Sequence, residues 1–251
     1  MSSTESEFVL DRLTQAIPDR FFADPALLGV FQELRRWRIE KLPGELDPVR
    51  ISQFVELLSR VTKLGSGDYV ELGTQHGYSA RAIWTLMNAD ADLLLFDTFS
   101  GFTAHDIEKE KQLYDNNWTT ESITCSAKEK VAEVVCGQAS HPRLVLTEGR
   151  VPETFAAHDS RRFRFAHLDM DLYEPTRAAI PWLWRRMVPG GIMVFHDYGC
   201  AGFPGVKKAV DEFFEPLSIP SLPMGDRWGS AVVVKPKSKS LKTHIKTFFN
   251  T

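Results

Sequence analysis

The stretch Phe165-Ala-His-Leu-Asp-Met-Asp-Leu-Tyr-Glu-Pro-Thr176 decides the fold of this chain. It continues a predicted buried strand over 163–168, and two acids, Asp169 and Asp171, stand where that strand should end. Pro175-Thr176 then opens a predicted helix. In open α/β sheets, ligands bind outside the carboxyl ends of the strands. Two carboxylates in that place are better suited to chemistry than to stability, so they are the first candidate site.

Apolar strand patterns alternate with helical patterns on both sides of this stretch. Near-continuous apolar runs are typical of parallel strands that helices cover on both faces. We therefore predict an α/β domain over 49–236 with a mostly parallel, seven-stranded sheet, between a helical lead-in at 1–48 and a basic tail at 237–251. The predicted strands cover 68–72, 92–97, 143–147, 163–168 and 192–197, with two more candidates between 217 and 234.

The composition is that of a globular protein. A length of 251 residues suits one large α/β domain better than two small ones, and 43% hydrophobic residues allow a sizeable core. The net charge of −3 and the pI of about 6.2 argue against a protein that coats nucleic acid or membranes through bulk charge. Three cysteines without CxxC spacing suit a reducing compartment. Because we find neither a secretory signal nor an apolar span of about 18 residues, we expect a cytoplasmic protein.

A glycine-containing turn follows the first predicted strand, with the spacing Glu71-x-Gly73-x-x-x-Gly77 and a helix that starts near Ser79. Glycine is expected where the backbone turns sharply or a ligand approaches it closely. The spacing differs from the GxGxxG of dinucleotide sites. The next strand ends in Asp97, where an acid can accept hydrogen bonds from both hydroxyls of a ribose. Together these features indicate a nucleoside site.

A second polar cluster is expected if the strands before Asp169 and Asp197 are neighbours, because their ends would lie about 5 Å apart. Carboxylates this close repel each other, and a divalent cation relieves the repulsion. Oxygen ligands suit Mg²⁺, whereas a histidine among them widens the choice to Mn²⁺ or another transition metal. Asp171 is our candidate for the base that takes a proton from a metal-bound hydroxyl. The side chains in this predicted cluster are Asp169, Asp171, His196 and Asp197.

Three segments leave alternatives open. The lead-in has two helical patterns, which either cover a sheet edge or form a cap over a substrate pocket or a dimer arm. Residues 98–124 are long and irregular, which indicates a lid or substrate loop or an uninformative insertion. The tail after Lys235 carries several lysines and no acid. It is either solvated with a short terminal helix or a contact to anionic lipid, nucleic acid or a partner.

Two helices have specific predicted features. Ser126 and Glu129 have the spacing of a capping box, so a helix over 126–137 should begin with Ser126 as its N-cap. Pro181 lies within the helical pattern of 176–188, so that helix is expected to kink or to start late.

The residues also resemble known methyltransferases. The loop from Glu71 to Ser79, with Asp97, is similar to the S-adenosylmethionine (SAM) loop and ribose acid of class I methyltransferases. The region from Leu168 to Phe214 resembles the macrocin O-methyltransferase (TylF-type) family, in which Mg²⁺-dependent enzymes methylate sugar hydroxyls. The segments that carry this second resemblance are His167-Leu-Asp-Met-Asp-Leu-Tyr-Glu-Pro-Thr176, Pro189-Gly-Gly191, His196-Asp-Tyr198 and Pro204-Gly-Val-Lys-Lys-Ala-Val-Asp-Glu-Phe213.

The resemblance implies a Rossmann-like class I methyltransferase fold and a role for each matching residue. Asp169 and Asp197 become metal ligands, and Asp171 becomes the base. His196 stands where the family usually has an aspartate, and histidine can also ligate a metal. Asp169 is also a candidate cofactor-binding residue, and Asp169 and Asp171 are the two candidate catalytic residues. The candidate SAM-binding residues are Glu71, Gly73, Thr74, Gly77, Ser79, Asp97, Thr98, Gly149 and Asp169.

The predicted function is a metal-assisted, SAM-dependent methyltransferase that acts on a hydroxyl of a sugar or a glycosylated small molecule. A similar enzyme for phenolic substrates is an alternative. An NAD-dependent oxidoreductase is another, although the missing GxGxxG counts against it. A third is a SAM-binding regulatory or nucleic-acid-binding module that uses the basic tail. For the enzyme we expect a small-molecule acceptor, no nucleic-acid or membrane partner, and a homo-oligomer.

Overall fold

The structure, a computed structural model, describes Gly29 and residues 48–237. Seven strands form one sheet in the order β3-β2-β1-β4-β5-β7-β6. The strands are β1 (Asp68–Leu72), β2 (Leu93–Asp97), β3 (Leu144–Glu148), β4 (Phe163–Leu168), β5 (Met187–Phe195), β6 (Leu222–Pro223) and β7 (Ala231–Val234). The helices are α1 (Pro48–Val61), α2 (Tyr78–Leu86), α3 (Ala104–Leu113), α4 (Lys128–Cys136), α5 (Tyr173–Arg186) and α6 (Pro204–Phe214).

The first five strands run parallel, and β7 and β6 add two antiparallel pairings at one edge. The chain moves from β1 outward to β2 and β3, and then returns to the other side of β1 with β4 and β5. The strand order therefore reverses between β1 and β4. A crevice at the carboxyl ends of the strands is expected at such a reversal. The predicted mostly parallel, seven-stranded sheet is confirmed.

Helices cover both faces of the sheet, as the continuous apolar strands require. Every residue of β4 is buried. One core cluster joins the sheet to α1, α2 and α4 through residues such as Phe54, Ile83 and Val131. The other joins it to α5 and α6 through residues such as Ile180 and Phe214. Both cores fix the strands, so the loops at their carboxyl ends start from rigid positions.

The segment expected to be irregular, residues 98–124, contains helix α3. The helix begins after Thr103, whose hydroxyl accepts a hydrogen bond of 3.2 Å from the amide of Asp106. This side-chain cap satisfies an amide that has no partner within the helix. The run of charged residues in this segment is therefore one helical surface rather than an extended loop.

The predicted capping box at Ser126 is wrong. Helix α4 begins at Lys128 after Ala127, which provides no side-chain cap. The hydroxyl of Ser126 instead lies 2.9 Å from Nδ1 of His76, in the loop after β1. The serine therefore joins two loops of the sheet's carboxyl edge, a tertiary contact that overrides the local capping pattern.

Two further boundaries differ from the predictions. Helix α5 begins at Tyr173 and continues through Pro181, so it has no late start. Strand β5 begins at Met187, and its Pro189-Gly190-Gly191 segment lies within the strand. Gly190 donates a 2.8 Å hydrogen bond to the carbonyl of Lys235, and Lys235 donates one of 2.8 Å to Gly191. Pairing with the chain that follows β7 thus extends the strand ahead of residue 192, where the predicted strand begins.

The predicted lead-in, apart from Gly29 and Pro48, and the predicted tail, apart from Lys237, lie outside the described residues. The three-part division at 48 and 236 therefore stays a prediction. Within the described part of the chain, no helix combines the length and the apolar character needed to cross a membrane.

Candidate active site

A cavity of about 510 Å³ opens at the carboxyl ends of the parallel strands. Loops that follow β1, β2, β3, β4 and β5 all contribute to its lining, and α1 adds Arg50. The predicted site residues that line it are Gly73, Thr74, Ser79, Asp97, Thr98, Gly149, Asp169, Asp171, His196 and Asp197. The structure thus brings the predicted nucleoside loop and the predicted acid cluster into one space.

The turn after β1 needs glycine for packing against β4. Gly73 has φ +81, and a Cβ there would lie 1.8 Å from the carbonyl oxygen of Asp169. The amide of Asp169 donates a 2.8 Å hydrogen bond to Leu72, which holds the two strand ends together. A side chain at position 73 would therefore separate the glycine loop from the first acid of the cluster. The sequence alone indicated close approach by a ligand, whereas the close neighbour is the backbone of β4.

Asp97 holds the glycine loop in place. One of its carboxylate oxygens accepts hydrogen bonds from the amides of Thr74 (2.6 Å) and Gln75 (2.8 Å), and the other accepts one from Phe99 (2.8 Å). The thiol of Cys125 lies 4.0 Å from the second oxygen. Burial, followed by the charge of Asp97, raises the pKa of the Cys125 thiol to about 11. This thiol is therefore neutral and unreactive at physiological pH.

Glu71 and Gly77, two of the predicted cofactor residues, do not line the cavity. The carboxyl of Glu71 is fully buried and shares a 2.8 Å hydrogen bond with Nδ1 of His167, which is also fully buried. Burial raises the pKa of Glu71, although the hydrogen bond from His167 opposes this shift. A Cβ at Gly77 would meet side chains of α4 at 3.1–3.3 Å. Both residues therefore help to hold the glycine loop in place but do not line the cavity.

The predicted acid cluster is formed by the ends of β4 and β5, which are neighbours in the sheet. One ligand atom from each of four residues lies within 4.8 Å of all the others, and these residues are Asp169, Asp171, His196 and Asp197. Nδ1 of His196 lies 2.7 Å from Asp169 and 2.8 Å from Asp197. The structure thus brings together the four side chains that the sequence predicts as one cluster, and the role of Asp171 as the base rather than a metal ligand stays a prediction.

The backbone is unusual at two of these acids. Asp171 has φ +63 and Asp197 has φ +58, so both adopt the left-handed conformation that few residues other than glycine take. Aspartate tolerates this conformation better than most residues. Asp171 follows the end of β4 by three residues, and Asp197 follows the end of β5 by two. Such outliers are common at functional sites.

Burial and the charges of the cluster shift the pKa values of several of its members. Burial would raise the pKa of Asp169, but the charges of His196, His167 and Arg50 outweigh it and hold that pKa below its usual range. Burial, together with the charges of Asp169 and Asp197, raises the pKa of Asp171 well above its ordinary value. Burial would lower the pKa of His196, but the charge of Asp169 raises it to about 9. Burial and neighbouring charges thus shift the pKa values of Asp169 and Asp171 in opposite directions.

Aromatic side chains form another part of the cavity lining. The rings of Trp118 and Phe203 stack with centroids 4.9 Å apart at 11°, and Phe102 packs edge-on against Trp118 at 6.4 Å. Phe102 and Trp118 follow β2, whereas Phe203 follows β5. Since β1 and β4 lie between those strands, the stack spans the strand ends that carry the glycine loop and the acids. Trp228 is a further aromatic residue of the lining.

The sequence did not identify several residues of the cavity. Arg150 donates hydrogen bonds to Asp106 through Nε (3.1 Å) and Nη2 (2.7 Å), which connects α3 to the loop after β3. Arg50 approaches Asp169 to 3.7 Å. The spacing could have predicted a buried position for Arg50, because Arg50 lies four residues before Phe54 and eight before Leu58, on the same buried face of the helix. The Arg150–Asp106 pair and the aromatic wall have no equivalent signal.

Comparison with known proteins supports a methyltransferase. A family model described as a methyltransferase domain matches residues 70–198, just over half of the chain. The chain belongs to the methyltransferase domain family. The matched region runs from β1 to the residue after Asp197, so it contains the glycine loop and the acid cluster. The predicted identity as a class I methyltransferase is confirmed, whereas the match does not separate the TylF-type enzymes from others.

Individual relatives are more distant. The chain is 26% identical over 148 residues to the 8-demethyl-8-(2,3-dimethoxy-alpha-L-rhamnosyl)-tetracenomycin-C 4'-O-methyltransferase of Streptomyces olivaceus, a match that covers 53% of each chain. The chain thus spans about half the length of this curated relative. Among solved structures, the O-methyltransferase NovP has a TM-score of 0.62 at 18% identity, over 75% of this chain and 80% of its own. The calicheamicin methyltransferase CalS11 has a TM-score of 0.60 at 20% identity, over 84% and 93%. At these identities the structural likeness establishes the fold.

Proposed function

We propose that this protein transfers the methyl group of SAM to a hydroxyl of a sugar or a glycosylated small molecule. The observation that carries the proposal is the presence, in one cavity, of the glycine loop with Asp97 and the acid cluster after β4 and β5. Methyl transfer needs an oxygen nucleophile held in line with the sulfonium, and rigid placement of both supplies much of the acceleration. The S. olivaceus relative, which by its name methylates a rhamnosyl group, supports a sugar acceptor.

SAM would use the glycine-loop side of the cavity. Thr74, Ser79 and Thr98 offer hydroxyl groups to the cavity, and Gly149 lines it at the end of β3. Asp97 already accepts bonds from three backbone amides. Because a carboxylate has about four lone-pair positions, ribose hydroxyls would share its oxygens with these amides.

The residues of the cluster fit a divalent metal. Nδ1 of His196 lies 2.7 Å from Asp169 and 2.8 Å from Asp197, yet among the described residues it has no partner with the geometry of a hydrogen bond. Ligands about 2.1 Å from an octahedral metal lie about 3 Å from each other, close to these distances. Nε2 of His196 and Oδ1 of Asp197 are buried without a hydrogen-bond partner in the described structure. We therefore infer that Asp169, His196 and Asp197 hold a metal, with Mg²⁺ or Mn²⁺ as the leading candidates.

A bound metal would lower the pKa of the acceptor hydroxyl. Asp171 would take the proton. Burial, together with the charges of Asp169 and Asp197, raises its pKa. A bound cation would offset these negative charges, so that Asp171 is ionised before it accepts the proton. Asp171 also lines the cavity, so it can reach an acceptor that lies there. The carboxyl group would then hold the proton until the methylated product leaves.

The aromatic wall would bind the part of the acceptor that does not react. Trp118 and Phe203 offer flat apolar surface, and such surface packs well against the C–H face of a sugar or against a ring. This wall also favours the alternative of a phenolic acceptor, as in a metal-dependent phenol methyltransferase. The two acceptors differ in their demand for a base, because a phenol with a pKa of about 10 ionises more readily than an alcohol.

The experiment is a screen of glycosides and phenols with SAM, in which release of S-adenosylhomocysteine is measured with Mg²⁺, with Mn²⁺ and in chelator. The proposal predicts release with at least one glycoside, and loss of this release in chelator. Turnover that persists in chelator and in Asp169→Asn would remove the metal from the account. Turnover of phenols alone, retained in Asp171→Asn, would support the phenolic alternative.

A further inference from the structure

Helix α3 is attached to the rest of the molecule mainly through acids. Its buried residues are Asp106, Ile107 and Glu110. Helices α1, α2, α4, α5 and α6 supply apolar side chains to the two core clusters, whereas Ile107 belongs to neither cluster of the described residues. A helix in a protein usually gains most of its stability from the packing of an apolar face. The position of α3 therefore depends on the partners of its two buried carboxyl groups.

The partner of Asp106 is Arg150, in the loop after β3. Asp106 is only 4% exposed. Nη2 of Arg150 donates a 2.7 Å hydrogen bond to Oδ1 of Asp106, and Nε lies 3.1 Å from each carboxylate oxygen. The hydroxyl of Thr103, the N-cap of α3, donates a 2.6 Å hydrogen bond to Oδ2. Bidentate, charge-assisted bonds of this kind combine strength with a fixed geometry. The pair therefore fixes the first turn of α3 against the loop after β3.

The Asp106–Arg150 pair connects two parts of the cavity, and both of its side chains line that cavity. Arg150 follows Gly149, whose amide donates a 2.9 Å hydrogen bond to the carbonyl of the last residue of β2. This end of the pair belongs to the proposed cofactor side. The other end belongs to α3, which Phe102 and Trp118 flank in the chain. Since these two rings line the cavity and pack against each other, the pair joins the cofactor side to the aromatic wall.

A second contact holds α3 one turn further along. The carboxyl group of Glu110 accepts a 2.8 Å hydrogen bond from the amide of Tyr173, at the start of α5. Loss of the Asp106–Arg150 pair would leave this contact in place. The first turn of α3 would then shift while the sheet and both core clusters stay intact, because α3 contributes to neither cluster.

We propose that Arg150 and Asp106 are positioning residues for the acceptor. Their pair holds the first turn of α3 and thereby places Phe102 and Trp118 where they contact the acceptor beside the methyl group of SAM. This inference rests on the proposed function, because it takes the aromatic wall to be the part of the cavity that binds the acceptor. The pair itself takes no part in the transfer of the methyl group or of the proton.

The test measures kcat and KM for the acceptor and the Kd for S-adenosylhomocysteine. Arg150→Gln and Asp106→Asn should each raise the acceptor KM by about tenfold, the effect expected from loss of a buried charge-assisted contact. Changes in kcat and in the Kd for S-adenosylhomocysteine should stay within about threefold, because the loss falls on acceptor binding. Arg150→Lys should give an intermediate KM, since lysine keeps the charge but loses the paired geometry.

The double variant distinguishes one shared contact from two separate effects. Residues that act through each other have effects that do not add. Arg150→Gln combined with Asp106→Asn should therefore raise the acceptor KM no further than the larger single effect. A rise equal to the product of the two single effects would contradict the proposal.

Glu153→Gln is the matched control, because Glu153 contacts the same guanidinium group at 2.6 Å but its side chain is 60% exposed. It should keep the wild-type KM. An unchanged KM in both single variants would overturn the proposal, and so would an equal rise in KM and in the Kd for S-adenosylhomocysteine. If Arg150→Gln does not fold, Arg150→Lys decides, and a wild-type KM there contradicts the need for the paired geometry.

Hydrogen exchange tests the placement of α3 without an acceptor. Amides of residues 104–113 should exchange faster in Arg150→Gln than in wild type, whereas those of the central strands should not change. Equal exchange rates in α3 would overturn the proposal even if no acceptor were known. Failure of wild type to methylate any glycoside or phenol, with faster exchange of α3 in the variant, would instead contradict the proposed function.

Discussion

Asp171 is the residue on which the chemistry depends most. It lies in the acid cluster in a left-handed conformation, and burial together with its two acidic neighbours raises its pKa. We predict that Asp171→Asn lowers kcat with an alcohol acceptor by about 10²–10⁴-fold, the contribution of a positioned base. The Kd for S-adenosylhomocysteine should change little, because shape is preserved. Kinetics with a true acceptor and calorimetry measure the two quantities.

Asp115→Asn, a substitution at an exposed acid outside the cavity, is the control for this prediction and should leave kcat unchanged. Normal turnover of the alcohol by Asp171→Asn would show that another group accepts the proton.

His196 distinguishes this cluster from one made of carboxylates alone. An imidazole favours later transition metals, whereas a carboxylate favours Mg²⁺ and Mn²⁺. We predict that His196→Asp improves Mg²⁺ binding relative to that of Co²⁺ or Zn²⁺ by about tenfold. Competition between these metals, monitored by calorimetry without substrate, gives the ratio. An unchanged ratio would mean that His196 does not touch the metal.

The sequence predicted the acids of the site but not their partners. Asp97, Asp169 and Asp197 each follow an apolar run. A polar residue at the end of a buried strand can be recognised from the sequence alone. The His167–Glu71 pair depends on the register of β4 against β1, in which the two residues are direct neighbours. Arg50 meets Asp169 only because α1 packs across the strand ends. Contacts of this kind arise from tertiary packing, which no local pattern records.

At the scale of elements, a buried carboxyl joins three helices. Glu110 of α3 is 1% exposed, and it accepts a 2.8 Å hydrogen bond from the amide of Tyr173, the first residue of α5. A Cβ at Gly205 of α6 would lie 2.6 Å from the other oxygen of Glu110. A negative charge at a helix N-terminus is favourable. The carboxyl therefore connects the segment over the cavity to the two helices on one face of the sheet.

Burial raises the pKa of Glu110 above its ordinary value of 4.5, and the hydrogen bond from Tyr173 only partly opposes this shift. Between 4.5 and the raised pKa, the folded protein binds more protons than the unfolded chain, so stability falls as the pH rises through this window. We predict that Glu110→Gln removes this component. The free energy of unfolding of Glu110→Gln should therefore rise relative to that of wild type as the pH increases from 4. Urea denaturation at a series of pH values measures this difference.

Glu108→Gln provides the control on the same helix, since Glu108 is exposed. Its stability should follow that of wild type at every pH. A constant difference between Glu110→Gln and wild type across the series would contradict the raised pKa.

The boundaries of elements were predicted less well than their existence. The alternation of strands and helices was sufficient to predict the sheet, because a strand buried on both faces must be apolar throughout. The ends of α4 and β5 were displaced by contacts with distant residues, His76 for the Ser126 loop and Lys235 for the start of β5. Helix α3 was missed because its surface is mainly charged, and only Asp106, Ile107 and Glu110 are buried.

At the scale of the whole molecule, the stacked rings of Trp118 and Phe203 connect two loops that follow distant strands of the sheet. Trp118 and Phe203 follow strands that two others separate in the sheet. We predict that Trp118→Ala raises the KM for the acceptor by about tenfold, because it removes both apolar surface and a stacking contact. The Kd for S-adenosylhomocysteine should stay within about twofold of wild type, since Trp118 is not among the residues proposed to hold the cofactor.

Trp84→Ala is the matched control, because Trp84 of α2 packs against His141 and does not line the cavity. Its acceptor KM should equal that of wild type when both proteins are assayed at a temperature at which they are folded. An equal rise in the Kd for S-adenosylhomocysteine in Trp118→Ala would indicate that the stack supports the cofactor rather than the acceptor.

The central claim is that the glycine loop and the acid cluster together transfer a methyl group to an oxygen atom. The most direct measurement uses SAM with a deuterated methyl group and a glycoside acceptor, followed by mass spectrometry of the product and fragmentation to locate the label. The account predicts equal amounts of S-adenosylhomocysteine and of a product whose label lies on a sugar oxygen, and loss of both in Asp169→Asn. Label on nitrogen or carbon, or no labelled product from any glycoside or phenol, would contradict it.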